Sequence, residues 1–277
     1  MRAPDSTIDL TAVHIPLRVE EIRNALAVAR LGTKFHYFSE ISSTNTHARS
    51  LAENGAGEGE IVIAEAQSAG RGRLGRRWSS PPYANLYFSL ILKPKLAPAQ
   101  VPQVTLMAAV ALADTVAAFI PGLPMIKWPN DIIFDGKKLA GILTELSCDA
   151  DRVNYVILGI GVNLNYPRET MPDEIRERAT SVFELTHKTV RRESFLKGLI
   201  QALDRCYGEL EVAGFPAIAA RWEARFGLRG RRVRVELLDQ TVIGQAKGID
   251  RDGALVLEDD NGALQRIVAG EVIPVEN

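Results

Sequence analysis

Cysteine is almost missing from this 277-residue sequence. Only Cys148 and Cys206 occur, far apart, with no Cys-x-x-Cys pair and no histidine cluster beside either. A disulfide framework or a cysteine-built metal site is excluded, and two reduced structural thiols remain. Histidine is scarce too, with four in the chain, and no Ser/His/Asp or Cys/His set assembles from them. Excess charge of either sign is lacking: 33 Lys and Arg face 34 Asp and Glu, for a net charge of −1. No global attraction to nucleic acid or to an anionic membrane follows, so any basic site must be local. Long hydrophobic runs are absent as well. The longest, Leu106–Phe119, is broken by Asp114 and is short for a bilayer. The amino terminus, MRAPDSTIDLTAVHIPL, has no apolar core behind a basic start and does not read as a secretion signal. The expectation is a cytoplasmic, soluble protein.

What is present is an ordinary globular composition, 46% apolar and 24% charged, long enough for one large domain plus a small one. Residues 1–18 read as a loosely ordered lead-in. Val19–Leu31 has helical spacing with Gly32 to end it, and a second helix follows Ser43–Thr44–Asn45 through about Glu53. Glu60–Ala66 and Asn85–Leu92 read as strands, and Val101–Phe119 as a helix apolar on nearly every side, hence a core helix. Met125–Trp128 is a short β segment. Asp131–Phe134 and Leu139–Leu146 form a hairpin through the turn pair Asp135–Gly136, and Tyr155–Asn163 is another core strand. Glu193–Val212 and Phe215–Phe226 read as helices. From Arg231 the chain becomes short alternating runs with turns at Asp252–Gly253 and Asn261–Gly262, a small antiparallel β module that must pack on the rest. The expected division is a lead-in (1–18), a main domain (19–226) and a β domain (227–277).

Five segments carry chemistry. The richest is Gly70-Arg71-Gly72-Arg73-Leu74-Gly75-Arg76-Arg77-Trp78. Its glycines let the backbone curl into an anion-binding nest, its arginines offer forks for phosphate or carboxylate, and its tryptophan offers a face to a base. It has no Gly-Lys-Ser/Thr ending, so it is not a P-loop. The plainer reading is an exposed Arg/Gly loop. Lys127-Trp128-Pro129-Asn130-Asp131 packs a lysine, an amide and a carboxylate at a proline-fixed bend, or is a self-capping turn. In Lys137–Glu145, Lys138 stands at a strand mouth and Gly141 lies within the strand, where glycine marks close approach of a ligand or a backbone. Gly159-Ile160-Gly161-Val162-Asn163 lacks the third glycine of a dinucleotide fingerprint and reads as a tightly packed strand end, with the Asn163 amide available to a base. Ser42–Asn45 is an N-cap that can also line a pocket.

Taken in order, Ser-Thr-Asn, Gln67-x-x-Gly-Arg-Gly-Arg-x-Gly-Arg-x-Trp, Lys-Trp-Pro-Asn-Asp, Lys-Leu-Ala-Gly-Ile-Leu-x-Glu and Gly-x-Gly-x-Asn resemble the biotin–protein ligase family over about Ser42 to Asn165. The resemblance implies an α/β (α+β) fold, with a mixed sheet like that of class II aminoacyl-tRNA synthetases and a small SH3-like β-barrel at the carboxyl end. It implies biotin and ATP as substrates, Mg2+ accompanying ATP, and a lysine of a carboxylase biotin carrier domain as acceptor. By resemblance, Ser43, Thr44, Asn45 and Gln67 hold the ureido ring, and Gly70, Arg71, Gly72 and Arg73 lie along the biotin tail and carboxylate. Arg73 and Lys138 are the catalytic pair, offsetting charge on the carboxylate and α-phosphate. Trp78, Asn130 and Asn163 surround the nucleoside, and Gly141 keeps the pocket open. Asp131 either orients a lysine or helps hold Mg2+. The resemblance names no metal ligands. Bifunctional relatives carry a winged helix-turn-helix ahead of the ligase domain, and about forty residues precede Ser43, so the form without it is expected. Neither DNA nor a membrane is expected as partner, and a homodimer through sheet edges is compatible with the resemblance. The rivals are a lipoate–protein ligase-like adenylate transferase, a biotin-responsive DNA-binding regulator and a scaffold without turnover.

Overall fold

The computed structural model describes residues 15–26, 30–237 and 239–275; residues 1–14 of the expected lead-in lie outside them. The chain begins with α1 (Val19–Ala25), β1 (Lys34–Ile41), α2 (Thr44–Glu53), β2 (Glu60–Gln67) and β3 (Leu86–Leu92). Next come α3 (Pro102–Ala117), β4 (Met125–Lys127), β5 (Asp131–Phe134), β6 (Lys137–Cys148) and β7 (Val153–Val162). Two short helices, α4 (Asp173–Arg176) and α5 (Val182–Thr186), precede α6 (Arg192–Ala213) and α7 (Phe215–Glu223). The last segment is β8 (Arg232–Glu236), β9 (Thr241–Ile249), β10 (Leu255–Glu258), β11 (Leu264–Ile267) and β12 (Glu271–Pro274).

The seven-stranded sheet runs β1-β2-β3-β7-β6-β5-β4. Its β1–β2 pair is parallel and the rest antiparallel. Its middle is the most apolar part: all seven residues of β3 are buried, as befits a strand with neighbours on both sides. The alanine-rich α3 begins with proline at its first position, where no N–H is needed. Twelve of its sixteen residues are buried, and it packs between the sheet and α6 and α7. The stretch Pro98–Ala117 is long and apolar enough to cross a membrane, yet most of it is buried inside the protein, chiefly as the core helix α3. Asp135 and Gly136, both at positive φ (47° and 77°), make the expected tight turn between β5 and β6.

One reading needs correction, and one element was not expected. The first helix stops at Ala25, and Leu26 is already extended. Further along, Arg30 and Leu31 donate their backbone N–H groups to Asp204 Oδ1 at 3.2 and 3.0 Å. That side-chain acceptor takes the place of helical carbonyls while Leu31 packs into the core. Strand β1, absent from the sequence-based expectations, is an edge strand with no fully buried residue, so its apolar alternation is too weak to read.

The carboxyl-terminal strands form a separate antiparallel sheet, β11-β10-β9-β8-β12. It is fastened to the first part of the chain by the motif tryptophan. Trp128 is 3% exposed, and its indole N–H donates to Gly253 O at 3.1 Å. Gly253 has φ +90°, and a Cβ there would lie 2.6 Å from Leu106 of α3. The turn therefore needs glycine both for its conformation and for its closeness to the core.

Candidate active site

Three glycines on two neighbouring strands make a floor. Gly159 and Gly161 lie two apart on β7 and so open to the same face. Gly141 of β6 stands opposite Gly161 in the ladder. A Cβ at residue 159 would fall 1.9 Å from Asn45 Oδ1, and one at residue 161 would fall 2.5 Å from Trp78 Cε2. At residue 141 it would meet Lys138 Cε at 3.0 Å and Trp78 Cζ3 at 3.1 Å. Asn45, Trp78 and Lys138 are thus brought to one surface by the absence of side chains beneath them.

At one end of the floor is a buried polar network. Ser43, Thr44 and Asn45 at the start of α2 are each less than 5% exposed. Gln67 Oε1 accepts from the Thr44 backbone N–H at 2.9 Å and lies 3.1 Å from its hydroxyl. Ser89 of β3 donates to Asn45 Oδ1 at 2.6 Å and lies 2.8 Å from Thr44 Oγ1. The Asn45 amide donates to Leu143 O and to Glu145 Oε2, at 3.2 and 2.8 Å. The Thr44, Asn45, Gln67 and Ser89 side chains are each held by a neighbour, the condition for a rigid, specific polar pocket wall. Ser43 makes no side-chain cap bond to its helix.

The Gly/Arg loop folds back on itself. Gly72 N–H donates to Arg76 O at 2.7 Å and Trp78 N–H to Gly70 O at 2.9 Å. Leu74, at φ 56° and 61% exposed, forms the tip. The four arginines have separate tasks. Arg71 bonds Glu145 through one guanidinium nitrogen at 3.0 and 2.8 Å. Arg73 reaches Asn130 Oδ1 at 3.3 Å and Gly270 O at 3.4 Å. Arg76 forks onto Glu271, and Arg77 donates to Ser68 O at 3.3 Å. A groove of about 300 Å³ opens between this loop and Leu143 and Glu145 of β6.

At the other end of the floor are charges. Lys138 Nζ sits 2.7 Å from Asp131 Oδ1 and 5.4 Å from the centre of the Trp78 ring. The Lys138 backbone is gripped by the chain before α5: its N–H donates to Arg178 O at 2.8 Å and its carbonyl accepts from Thr180 N–H at 2.9 Å. Asn130 donates to Ile142 O at 2.7 Å. Burial lowers Lys127 below the usual lysine range, against the opposing pull of Asp131 and Glu271. Burial likewise lowers Arg73. Two partly desolvated cations beside a third are poised for an anion, which would relieve the cost of their burial. Asn163 is buried, and its amide donates to Thr180 O at 3.0 Å. A larger open depression of about 550 Å³ lies on the carboxyl-terminal sheet, but Arg232 on its wall is already paired with Asp260, and none of the motifs reaches it.

Comparison with known proteins decides the family. Residues 37–163 match the Biotin/lipoate A/B protein ligase family, and residues 229–273 match the Biotin protein ligase C terminal domain. The chain is 34% identical to the biotin--[acetyl-CoA-carboxylase] ligase of Mycobacterium tuberculosis, over 93% of this chain and 96% of that one. It is 37% identical to the enzyme of the same name from Paracoccus denitrificans, over 83% and 96%.

This chain belongs to the biotin protein ligase family.

It is also 37% identical to the bifunctional ligase/repressor BirA of Bacillus subtilis, covering 78% of that protein. Among solved structures, the biotin protein ligase of Aquifex aeolicus in complex with biotin and ATP superposes with a TM-score of 0.76, at 27% identity, over 88% of this chain and all of that one. The fold is thus the mixed α/β ligase fold with its carboxyl-terminal β unit.

The resemblance assigns Thr44, Asn45, Gln67, Trp78, Asn130, Asp131, Lys138 and Gly141 to one ligand site; in the structure Thr44, Asn45 and Gln67 share a network with Ser89, Trp78 and Lys138 lie against Gly141, and Lys138 pairs with Asp131. Sequence reasoning missed Ser89 and the pocket sides of Gly159 and Glu145. A serine inside the otherwise apolar run LYFSLIL is the signal that could have found Ser89, since a fully buried hydroxyl needs a partner. It also missed Glu65 and Arg192, a buried ion pair (Nη1–Oε2 2.5 Å) behind the pocket.

Proposed function

We propose that this ligase forms biotinyl-5'-AMP from biotin and ATP and then transfers biotin to a lysine of a carboxylase carrier domain. One observation carries the detailed reading: Trp78 and Lys138 meet over the facing glycines 141 and 161, beside the rigid Asn45–Ser89 network. That gives a slot for a flat base, a cation for an anhydride and a polar end for a ureido ring.

In the first step a biotin carboxylate oxygen attacks the α-phosphorus, the bond to the bridging oxygen breaks, and pyrophosphate leaves. In the second, the carrier lysine amine attacks the acyl carbon, AMP leaves with the bonding pair, and an amide forms. Both nucleophiles come from substrates, which accounts for the lack of a nucleophile–histidine set in the chain. The protein's part is to align and neutralise. Lys138, held by Asp131 and by its backbone bonds, and Arg73 offset charge at the carboxylate and α-phosphate. Thr44, Asn45 and Gln67, with Ser43 alongside, bind the ureido ring. The backbone of Gly70–Arg73 follows the tail, and Trp78 and Asn130 border the nucleoside. Asn163 supports that wall from below through Thr180.

Among the described residues no group of three or more His, Cys, Asp or Glu side chains comes together as a metal cage. Mg2+ would come with the phosphates of ATP, and Asp131, paired here with Lys138, would either orient that lysine or help hold the ion. This is the usual arrangement for a cation that keeps waters and takes few protein ligands.

The test is incubation with biotin, MgATP and a carrier domain, read by intact mass. A carrier heavier by one biotinyl group supports the proposal. No gain with biotin, but a gain with lipoate, moves the chain to the other acyl substrate of the same family.

A further inference from the structure

Arg76 is the third of the four loop arginines, and most of its side chain faces solvent at 62% exposure. Both terminal guanidinium nitrogens are nevertheless engaged. Nη1 lies 2.7 Å from Glu271 Oε1, and Nη2 bonds Oε2. Glu271 begins β12 of the carboxyl-terminal sheet, so this fork joins the loop to a different unit of the fold. The residue before it, Gly270, offers its carbonyl to Arg73. Gly270 has φ +139°, and a Cβ there would press on Val235 and Glu236 at 2.7 and 2.9 Å. The turn presenting both acceptors is therefore fixed. The Glu271 carboxylate also feels Lys127 and Lys138, and it is held below the usual glutamate range, first by the Arg76 hydrogen bond. It sits as an anion facing the cations that the ligase reading assigns to ATP.

We propose that Glu271 is a positioning residue that occupies Arg76 in the ligand-free enzyme as a stand-in for phosphate, and that the nucleotide must displace it. The inference rests on the ligase reading only in naming ATP as the displacing anion. An arginine fork fits carboxylate and phosphate alike. A polyphosphate brings more charge than one carboxylate, and the carboxylates acting on the four cations Arg73, Arg76, Lys127 and Lys138 are Asp131, Glu271 and, at Arg76, Glu236. The carboxyl-terminal sheet therefore holds the loop in order while the site is empty and opposes nucleotide entry by the strength of one exposed pair.

The test is the full chain carrying Glu271→Gln, which keeps the shape and removes the charge. The probe is the α,β-methylene analogue of ATP with Mg2+, which cannot release pyrophosphate, titrated by calorimetry in the presence of biotin. Its dissociation constant falls about fivefold in Glu271→Gln, the scale of one largely exposed ion pair, while that for biotin alone does not move. In an Arg76→Gln background the same change at Glu271 has no further effect. A dissociation constant that is unchanged or raised in Glu271→Gln overturns the proposal, as does an equal drop in the Arg76→Gln background. The ligase reading is judged separately: a wild-type protein that forms no biotinyl-5'-AMP sinks it, whatever the titrations give.

Discussion

The Trp78 ring fills the space that a side chain at residue 161 would need, with Cε2 only 2.5 Å from where a Cβ would stand on Gly161. The Trp78 indole N–H is buried and has no hydrogen-bond partner within the protein. The ring is thus placed by shape alone, against a strand backbone that cannot yield because it pairs on both sides, with β3 and with β6.

Gly161→Ala should therefore push the indole off the floor without unfolding β7, since a strand interior tolerates alanine better than the glycine it replaces. Stacking of a base on an aromatic ring is worth about 1–3 kcal/mol, so nucleotide affinity should fall roughly tenfold or more. Biotin affinity should change less. Trp128 and Trp222 are buried at 3% and 0% exposure, so nucleotide-dependent tryptophan fluorescence reports chiefly on Trp78. An alanine variant with the wild-type fluorescence response and affinity would show that the ring is not the base's neighbour.

Ser89→Ala tests the other end. Ser89 is fully buried and is the donor to Asn45 Oδ1. Removing it leaves that amide oxygen without its hydroxyl donor, at a cost of about 1–3 kcal/mol. Asn45 should then lose its fixed orientation, and biotin should bind about ten times more weakly, with nucleotide affinity nearly unchanged. A biotin dissociation constant equal to that of the wild type would remove Ser89 from the pocket wall.

The residues legible in the sequence share a property: their meaning is local. The Asp135–Gly136 turn is stated by its own two residues, while the Gly/Arg loop and the Lys127–Asp131 bend are short contiguous motifs whose chemistry is implied by the resemblance of the ordered set. Ser89, Gly159, Glu65 and Arg192 were not legible, because each acts through a partner brought by strand register. Ser89 meets Asn45 across 44 positions, and Arg192 meets Glu65 across 127. No local pattern encodes which strands are neighbours. Trp128 shows the same limit in reverse. It stands inside a motif that reads as pocket chemistry, yet its indole is given to Gly253 of the other sheet. Whatever its neighbours Asn130 and Asp131 do in the site, this residue joins the two units.

Lys138→Ala should separate chemistry from folding. The side chain is 37% exposed and its ammonium pairs with Asp131, so little packing is lost. Preorganised charge at a reacting centre is typically worth about 10²–10³ in rate. Single-turnover formation of biotinyl-5'-AMP should slow by roughly that factor, with the unfolding midpoint close to wild type. Asp131→Asn should show a smaller loss, since it frees the lysine without removing it. Near-normal adenylation in Lys138→Ala would take this lysine out of the mechanism.

The pair Glu65–Arg192 is the strongest structural commitment behind the site. Both side chains are nearly inaccessible, at 1% and 7% exposure. Glu65 Oε1 accepts from the Leu17 backbone N–H at 2.5 Å and from Tyr37 OH at 3.0 Å. Arg192 donates to Asn85 O and Ile15 O, at 3.2 and 2.8 Å. Residues 15–17 are thereby anchored to β2 and α6. Truncating one member strands the other charge out of water, which costs about 3–5 kcal/mol. Replacing both with neutral groups removes the attraction and the desolvation cost together. Arg192→Met should therefore lower urea stability by about that amount, while the double variant Glu65→Gln with Arg192→Met should recover most of it. Glu65 lies two residues from Gln67, whose carbonyl oxygen fixes Thr44, so the single variant should also weaken biotin binding. A double variant no more stable than Arg192→Met would mean that the hydrogen bonds to Leu17 and Ile15, and not the buried charge, are what hold this corner together.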